Sequence, residues 1–194
     1  MSSRTPVGPP GAIATRAPVL LLTGRPGVGK TTLIRRLVES LGHARAAGFY
    51  TEEIRDGSVR VGFRAITLDG RALTMAHVDI GGPARIGKYG VDLAVVDALA
   101  DSTLRDAHGV SLFVVDEIGR MECLATRFVA TVRAVIDGTR PFVATIGMKG
   151  VPLLDELRSR PGVTLREVTT ANRHRLAPEV VAWVGRALDR VPNR

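Results

Sequence analysis

The sequence predicts an α/β fold, a largely parallel sheet with helices on both faces, carrying an antiparallel β-meander as an insertion. Three observations point there. Short apolar runs at 18–23, 110–115 and 141–146 alternate with helical patterns. A glycine-rich bend, "GRPGVGKT" at 24–31, joins the first run to the first helix. Between 47 and 78 the pattern changes to short β-prone segments broken at Asp56-Gly57 and Asp69-Gly70, the turn chemistry of hairpins.

Taken in order, residues 1–17 hold clustered Pro and Gly without apolar periodicity and read as a disordered tail, leaving 18–194 as one domain. "PVLLLT" at 18–23 is a buried strand, and "KTTLIRRLVESLG" a helix stopped by Gly42. After the meander, 92–108 is helical and "VSLFVV" at 110–115 is a second buried strand. "CLATRFVATVRAVIDG" is a helix closed by Gly138, and "PFVATI" at 141–146 a third strand. A short helix "PLLDELRSR", a strand "VTLREV" and a last helix "APEVVAWVGRALDR" follow, with Trp183 expected in the core.

Composition narrows the function classes. A chain of 194 residues, 45% hydrophobic and 24% charged, buries a full core without disulfides, and its one cysteine, Cys123, excludes a multi-cysteine metal site. No run is long enough for a membrane span, and a cytoplasmic, monomeric protein is expected. The net charge of +8 suits a polyanionic ligand, but the basic residues are scattered and aromatic residues make up only 4%, which argues against a nucleic-acid platform. Only three of the 27 basic residues are lysines: Lys30, Lys88 and Lys149. A lysine kept in so arginine-rich a chain marks a place for a compact ammonium, Lys30 above all.

The bend at 24–31 fits Gly-x-x-x-x-Gly-Lys-Ser/Thr, a P-loop, in its proper setting between strand and helix. Gly24, Gly27 and Gly29 let the backbone turn its N–H groups inward on phosphate oxygens, and the helix N-terminus adds its dipole. Lys30 reaches the β- and γ-phosphates, and the Thr31 hydroxyl joins the coordination of Mg²⁺. The run 112–115 ends in Asp116 and Glu117, two carboxylates side by side. In nucleotide-binding sheets this is where one acid serves the metal and another orients the attacking water, so Asp116 is assigned to Mg²⁺ and Glu117 to the water. "DEIG" at 116–119 also fits Asp-x-x-Gly, yet no Asn-Lys-x-Asp follows, which predicts loose base selectivity rather than a dedicated GTP switch.

The ordered set "GRPGVGKTTL", "GFYTEEIRDGSVRVGF", "RIGKYGVDL", "VVDEIGRME" and "TTANRHRLAPEV" resembles the cancer-related nucleoside-triphosphatase family. The resemblance spans most of residues 18–180 and implies a RecA-like sheet and Mg²⁺-dependent hydrolysis of several nucleoside triphosphates to diphosphate and phosphate. It implies nucleotide contacts along Gly24, Arg25, Pro26, Gly27, Val28, Gly29, Lys30, Thr31 and Thr32. It implies further contacts around Leu112, Phe113, Val114, Val115, Asp116, Glu117, Ile118 and Gly119, and at Asn172 and Arg173, near the base or the γ-phosphate. "IGMKG" at 146–150 departs from the His-Arg of many members.

Lys88, Arg120 and Arg173 are candidates for a cation at the transition state, and Glu52 or Glu53, on opposite faces of one strand, for a further acid. A small-molecule or nucleotide kinase with the meander as a lid, a non-catalytic nucleotide-gated module, and a nucleic-acid-stimulated ATPase are the competing readings.

Overall fold

The chain is described by a computed structural model, which covers residues 16–41, 45–105, 109–148 and 150–190. Most of the expected tail, Gly42, Lys149 and the end of the helix expected to 108 lie outside these residues. β1 (Val19–Thr23) leads into α1 (Lys30–Ser40). β2 (Ala46–Asp56), β3 (Val59–Thr67), β4 (Ala72–His77), β5 (Arg85–Ile86) and β6 (Tyr89–Val91) follow. Then come α2 (Leu93–Thr103), β7 (Leu112–Ile118), α3 (Thr126–Ile136), β8 (Phe142–Ile146), α4 (Pro152–Ser159), β9 (Val163–Glu167) and α5 (Arg173–Leu188).

One sheet runs β5-β6-β4-β3-β2-β7-β8-β1-β9. The segment from β2 to β9 is parallel, and the meander from β2 to β5 is antiparallel. The meander is therefore not a separate insertion but the continuation of the same sheet. The eleven-residue β2 makes this possible. Its first residues pair in parallel with β7, and from Phe49 onward it pairs with β3.

Helices cover both faces, as the alternation of strands and helices requires. Val19 and Leu21 point into a core that includes Phe49, Leu99, Phe128 and Leu154. Leu20 and Leu22 point into a second core with Ile34, Leu37 and Val184. Both faces of β1 are thus buried, which is why the strand reads as an unbroken apolar run. Each large side chain fully removed from water contributes about 1.5–3 kcal/mol.

Three boundaries differ from expectation, each for a local reason. β7 does not stop at 115 but runs through both acids to Ile118, with its pairing to β8 irregular between Val115 and Ile118. α5 begins at Arg173 rather than Ala177 and passes through Pro178. Its first turn is secured from outside, since Thr169 O accepts from Arg173 N at 3.0 Å and Asn172 O from Leu176 N at 2.9 Å. Pro178 costs the helix one donor, the N–H that would otherwise reach the His174 carbonyl. α3 starts at Thr126, and residues 122–124 form a separate 3-10 turn. Trp183 is only partly buried against the second core. Arg16, within the segment expected as a tail, pairs with Asp137 at 3.1 Å. No described helix is long and apolar enough to cross a membrane.

Candidate active site

Parallel β1, β8 and β7 lie side by side, so their C-terminal ends form one crevice, where open α/β sheets bind ligands. The bend after β1 has positive φ at Gly24, Gly27 and Gly29 (153°, 76° and 102°), as the phosphate-binding reading expects. Gly24 is also required by close approach, because a Cβ there would lie 2.4 Å from the Val168 carbonyl oxygen. α1 starts after Gly29 without a side-chain cap, so no capping side chain takes its first N–H groups or its positive end.

Lys30 is 8% exposed. Its ammonium donates to the Gly24 carbonyl at 3.1 Å and lies 3.7 Å from Glu117 Oε2. This is the positive partner that two adjacent carboxylates call for. Asp116 is 1% exposed. The Thr145 hydroxyl on β8 donates to its Oδ1, while Oδ2 is buried with no hydrogen-bond partner. The Thr31 hydroxyl acts on the same carboxyl.

The charges respond to this enclosure. Burial pushes the Asp116 carboxyl above its ordinary range, against the Thr145 hydrogen bond, the influence of the nearby Thr31 hydroxyl and the positive charges of Lys30 and Arg35. Burial also raises Glu117, opposed by Lys30 and helped by the charge of Asp116. A buried, unpartnered carboxylate oxygen beside a threonine hydroxyl is a hard-oxygen donor set that suits a cation such as Mg²⁺. Among the described residues no three His, Cys, Asp or Glu side chains enclose a metal, so phosphate oxygens and water would complete the shell.

The other candidates separate clearly. Arg173 comes to the loop, since a Cβ on Gly29 would stand 3.6 Å from its Cδ and 3.9 Å from its Nη1. Asn172 shapes the approach. Its Oδ1 accepts from Thr169 N and its Nδ2 donates to Glu167 O, both at 2.8 Å, folding 167–172 into the turn that starts α5. Arg25, Pro26 and Thr32 are exposed along the loop and first helical turn, with Val28 half-buried. Leu112 and Val114 pack into one core, and Phe113, Val115 and Ile118 into the other. Those five side chains support the strand and do not face the crevice.

Lys88 lies in the exposed β5–β6 turn at the far end of the sheet, its ammonium 5.4 Å from the Tyr89 ring centre. Arg120 is exposed just past β7. Glu52 and Glu53 point to opposite faces, as alternation predicts. Glu52 pairs with Arg35 and with Arg64 (2.9 Å), and Glu53 with Arg55 (2.6 Å) and Arg60 (2.8 Å). Neither carboxylate enters the loop, although Glu52 holds the arginine whose charge acts on Asp116.

The sequence reading missed three residues. Thr145 was visible as the one polar residue in an apolar strand. Arg35 stacks 4.6 Å from the centre of the Tyr50 ring, on the strand beside β7, and no pattern in the sequence marks it. Glu122 is buried, accepts from Gly119 N at 3.0 Å, and has a carboxyl raised to about 7 by burial and by the neighbouring Glu117 and Asp116 charges. Cys123 beside it is pushed up to about 12 by burial and by Glu122, so it is an inert thiol.

Comparison with known proteins places the chain in a family. A family model described as NTPase matches residues 19–181. The chain is 40% identical over 164 residues to "Nucleoside-triphosphatase THEP1" of Thermotoga maritima, covering 84% of this chain and 93% of that protein. It is 38% identical over 183 residues to the human "Cancer-related nucleoside-triphosphatase", covering 85% and 95%. The crystal structure of THEP1 from Aquifex aeolicus superposes with a TM-score of 0.78 at 36% identity, covering 85% of this chain and 98% of that one. With a matched model spanning residues 19–181 and relatives aligned over 84–85% of it, the chain belongs to the NTPase family.

Proposed function

We propose that the protein is a P-loop, Mg²⁺-dependent nucleoside-triphosphate phosphohydrolase of broad base selectivity. The convergence of Lys30, Thr31, Asp116 and Glu117 at one crevice carries the reading. The names of the relatives, nucleoside-triphosphatases, support the reaction class.

The loop amides and the α1 N-terminus hold the triphosphate, and Lys30 swings from the Gly24 carbonyl to the β- and γ-oxygens. Thr31 and Asp116 would hold Mg²⁺, which supplies positive charge to the β- and γ-phosphate oxygens when bound. Releasing Lys30 leaves Glu117 with a raised affinity for a proton, which suits it to orient a water in line with the γ-phosphate. The water oxygen bonds to the γ-phosphorus, the bond to the β,γ-bridging oxygen breaks, Glu117 takes the proton, and diphosphate leaves with the electron pair. Arg173 is the cation among the three candidates that reaches the loop, and it is assigned to the γ-phosphate charge.

Transfer to another acceptor would need a mobile lid with unengaged cations. The meander arginines Arg55, Arg60 and Arg64 are instead held by Glu53 and Glu52. The test is phosphate release from ATP, GTP, CTP and UTP with and without Mg²⁺ and with no acceptor added. Release from all four only with Mg²⁺ is expected. Release confined to samples containing an added alcohol or nucleoside acceptor would overturn the reading.

A further inference from the structure

Glu122 does not belong to the P-loop set, yet its carboxyl is buried close beside it. It stands at the start of the 3-10 turn Glu122–Leu124, 5% exposed. The turn closes back on Gly119 from both sides. Gly119 N donates to Glu122 Oε2 at 3.0 Å, and Cys123 N donates to Gly119 O at 3.2 Å. Gly119 is thereby held at its N–H and at its carbonyl.

Glu117 rests against this fixed backbone. A Cβ on Gly119 would lie 3.1 Å from Glu122 Oε2 and 3.4 Å from Glu117 Oε1, so the two carboxyls flank one Cα. On the other side, a Cβ on Gly147 would lie 3.4 Å from the same Glu117 oxygen and 3.8 Å from Gly119 Cα. Gly147 is itself tied down, since its N–H donates to Ile118 O at 3.1 Å and its carbonyl accepts from Arg158 Nη2. Glu117 thus lies in a slot between two glycines, with Lys30 at its open end.

We propose that Glu122 is a positioning residue for Glu117: by accepting the Gly119 N–H it fixes the backbone wall that aims the Glu117 carboxylate. This rests on the hydrolase reading above, in which Glu117 orients the water. A buried carboxyl costs stability wherever it is ionised, so an apolar residue would serve packing better. What the carboxyl does here is hold one amide in place.

The test compares wild type with Glu122→Gln, Glu122→Ala and Gly119→Ala, measuring kcat and KM with Mg-ATP, affinity for a fluorescent ATP analogue, and amide exchange at Gly119. Glu122→Ala is expected to lower kcat on the order of 10- to 100-fold, the effect of a small misplacement of a catalytic group, with nucleotide affinity kept within about threefold. Glu122→Gln retains a carbonyl to accept the N–H and rescues kcat to within about threefold of wild type. Gly119→Ala, whose backbone φ is ordinary, repeats the kcat loss by pressing on both carboxyls. Gly119 exchange quickens in Glu122→Ala and not in Glu122→Gln.

Full activity in Glu122→Ala, or equal losses in Glu122→Gln and Glu122→Ala, overturns the proposal. If Glu122→Ala does not fold, the Gln and Gly119 variants decide. If wild type releases no phosphate, the hydrolase reading falls, and Gly119 exchange alone decides the positioning. Protection lost in Ala and kept in Gln supports it, and protection alike in both overturns it.

Discussion

Replacing Glu122 by Gln should flatten the dependence of folding stability on pH. The carboxyl has a pKa raised from 4.5 to about 7 by burial and by the neighbouring Glu117 and Asp116 charges. Below 4.5 it is protonated in both the folded and the unfolded chain and contributes no difference. Between 4.5 and 7 the unfolded chain has lost the proton and the folded chain keeps it, so the unfolded state binds fewer protons and stability falls as pH rises, by about 1.4 kcal/mol per unit. Above 7 both are ionised and the loss levels off near about 3 kcal/mol, which for a chain of this size corresponds to roughly 10 °C in Tm.

Gln has no such titration. The groups facing Glu122, namely its own backbone N–H, the Gly119 N–H, and the Glu117 and Asp116 carboxyls, are present in both proteins. Asp116 and Glu117 also titrate upward, but they do so in both and largely cancel in the comparison. The extra buried amide protons of Gln add an offset that does not vary with pH. The assay is urea unfolding of both proteins from pH 4.5 to 8. The variant should gain about 3 kcal/mol relative to wild type across that range. Parallel curves would refute the reasoning and show that the carboxyl is not held protonated by burial.

Other expectations follow from single contacts. Thr145→Val keeps shape but removes the hydroxyl that donates to Asp116 Oδ1. It should cost about 1.5–3 kcal/mol by urea unfolding and weaken Mg-nucleotide binding in titration calorimetry. Gly24→Ala places a methyl 2.4 Å from the Val168 carbonyl oxygen and should abolish nucleotide binding, with a lowered Tm, in a thermal-shift titration. Arg173→Ala should lower kcat at least about tenfold while Lys88→Ala stays near wild type, because Arg173 stands against the loop, Lys88 lies at the far end of the sheet, and a cation at the γ-phosphate is worth orders of magnitude in rate.

How much of this was legible depended on whether a feature is local. The P-loop, its flanking strand and helix, and the acids at 116 and 117 are contiguous, and their chemistry could be read directly. Strand β7 reads as ending at 115 because its apolar run stops where charge begins, yet the backbone extends through Asp116 and Glu117 to Ile118. The sequence places the start of α5 at 177, whereas Asn172 and Thr169 anchor a first turn farther back. Thr145 acquires its role only from strand order: β8 lies between β1 and β7, so its end sits beneath the loop and beside Asp116. Arg35 depends in the same way on β2 lying next to β7. Glu122 was within the motif that carried the family resemblance, but nothing in its spacing shows that the chain turns back to bury it.

The central claim is that the acids at the end of β7 work on a nucleotide held by the bend after β1. Single-turnover phosphate release from Mg-ATP by wild type and Glu117→Gln, at matched nucleotide occupancy, tests it most directly. The account predicts rapid release by wild type and a loss of several orders of magnitude in the variant with binding intact. Release at an unchanged rate from Glu117→Gln would contradict it.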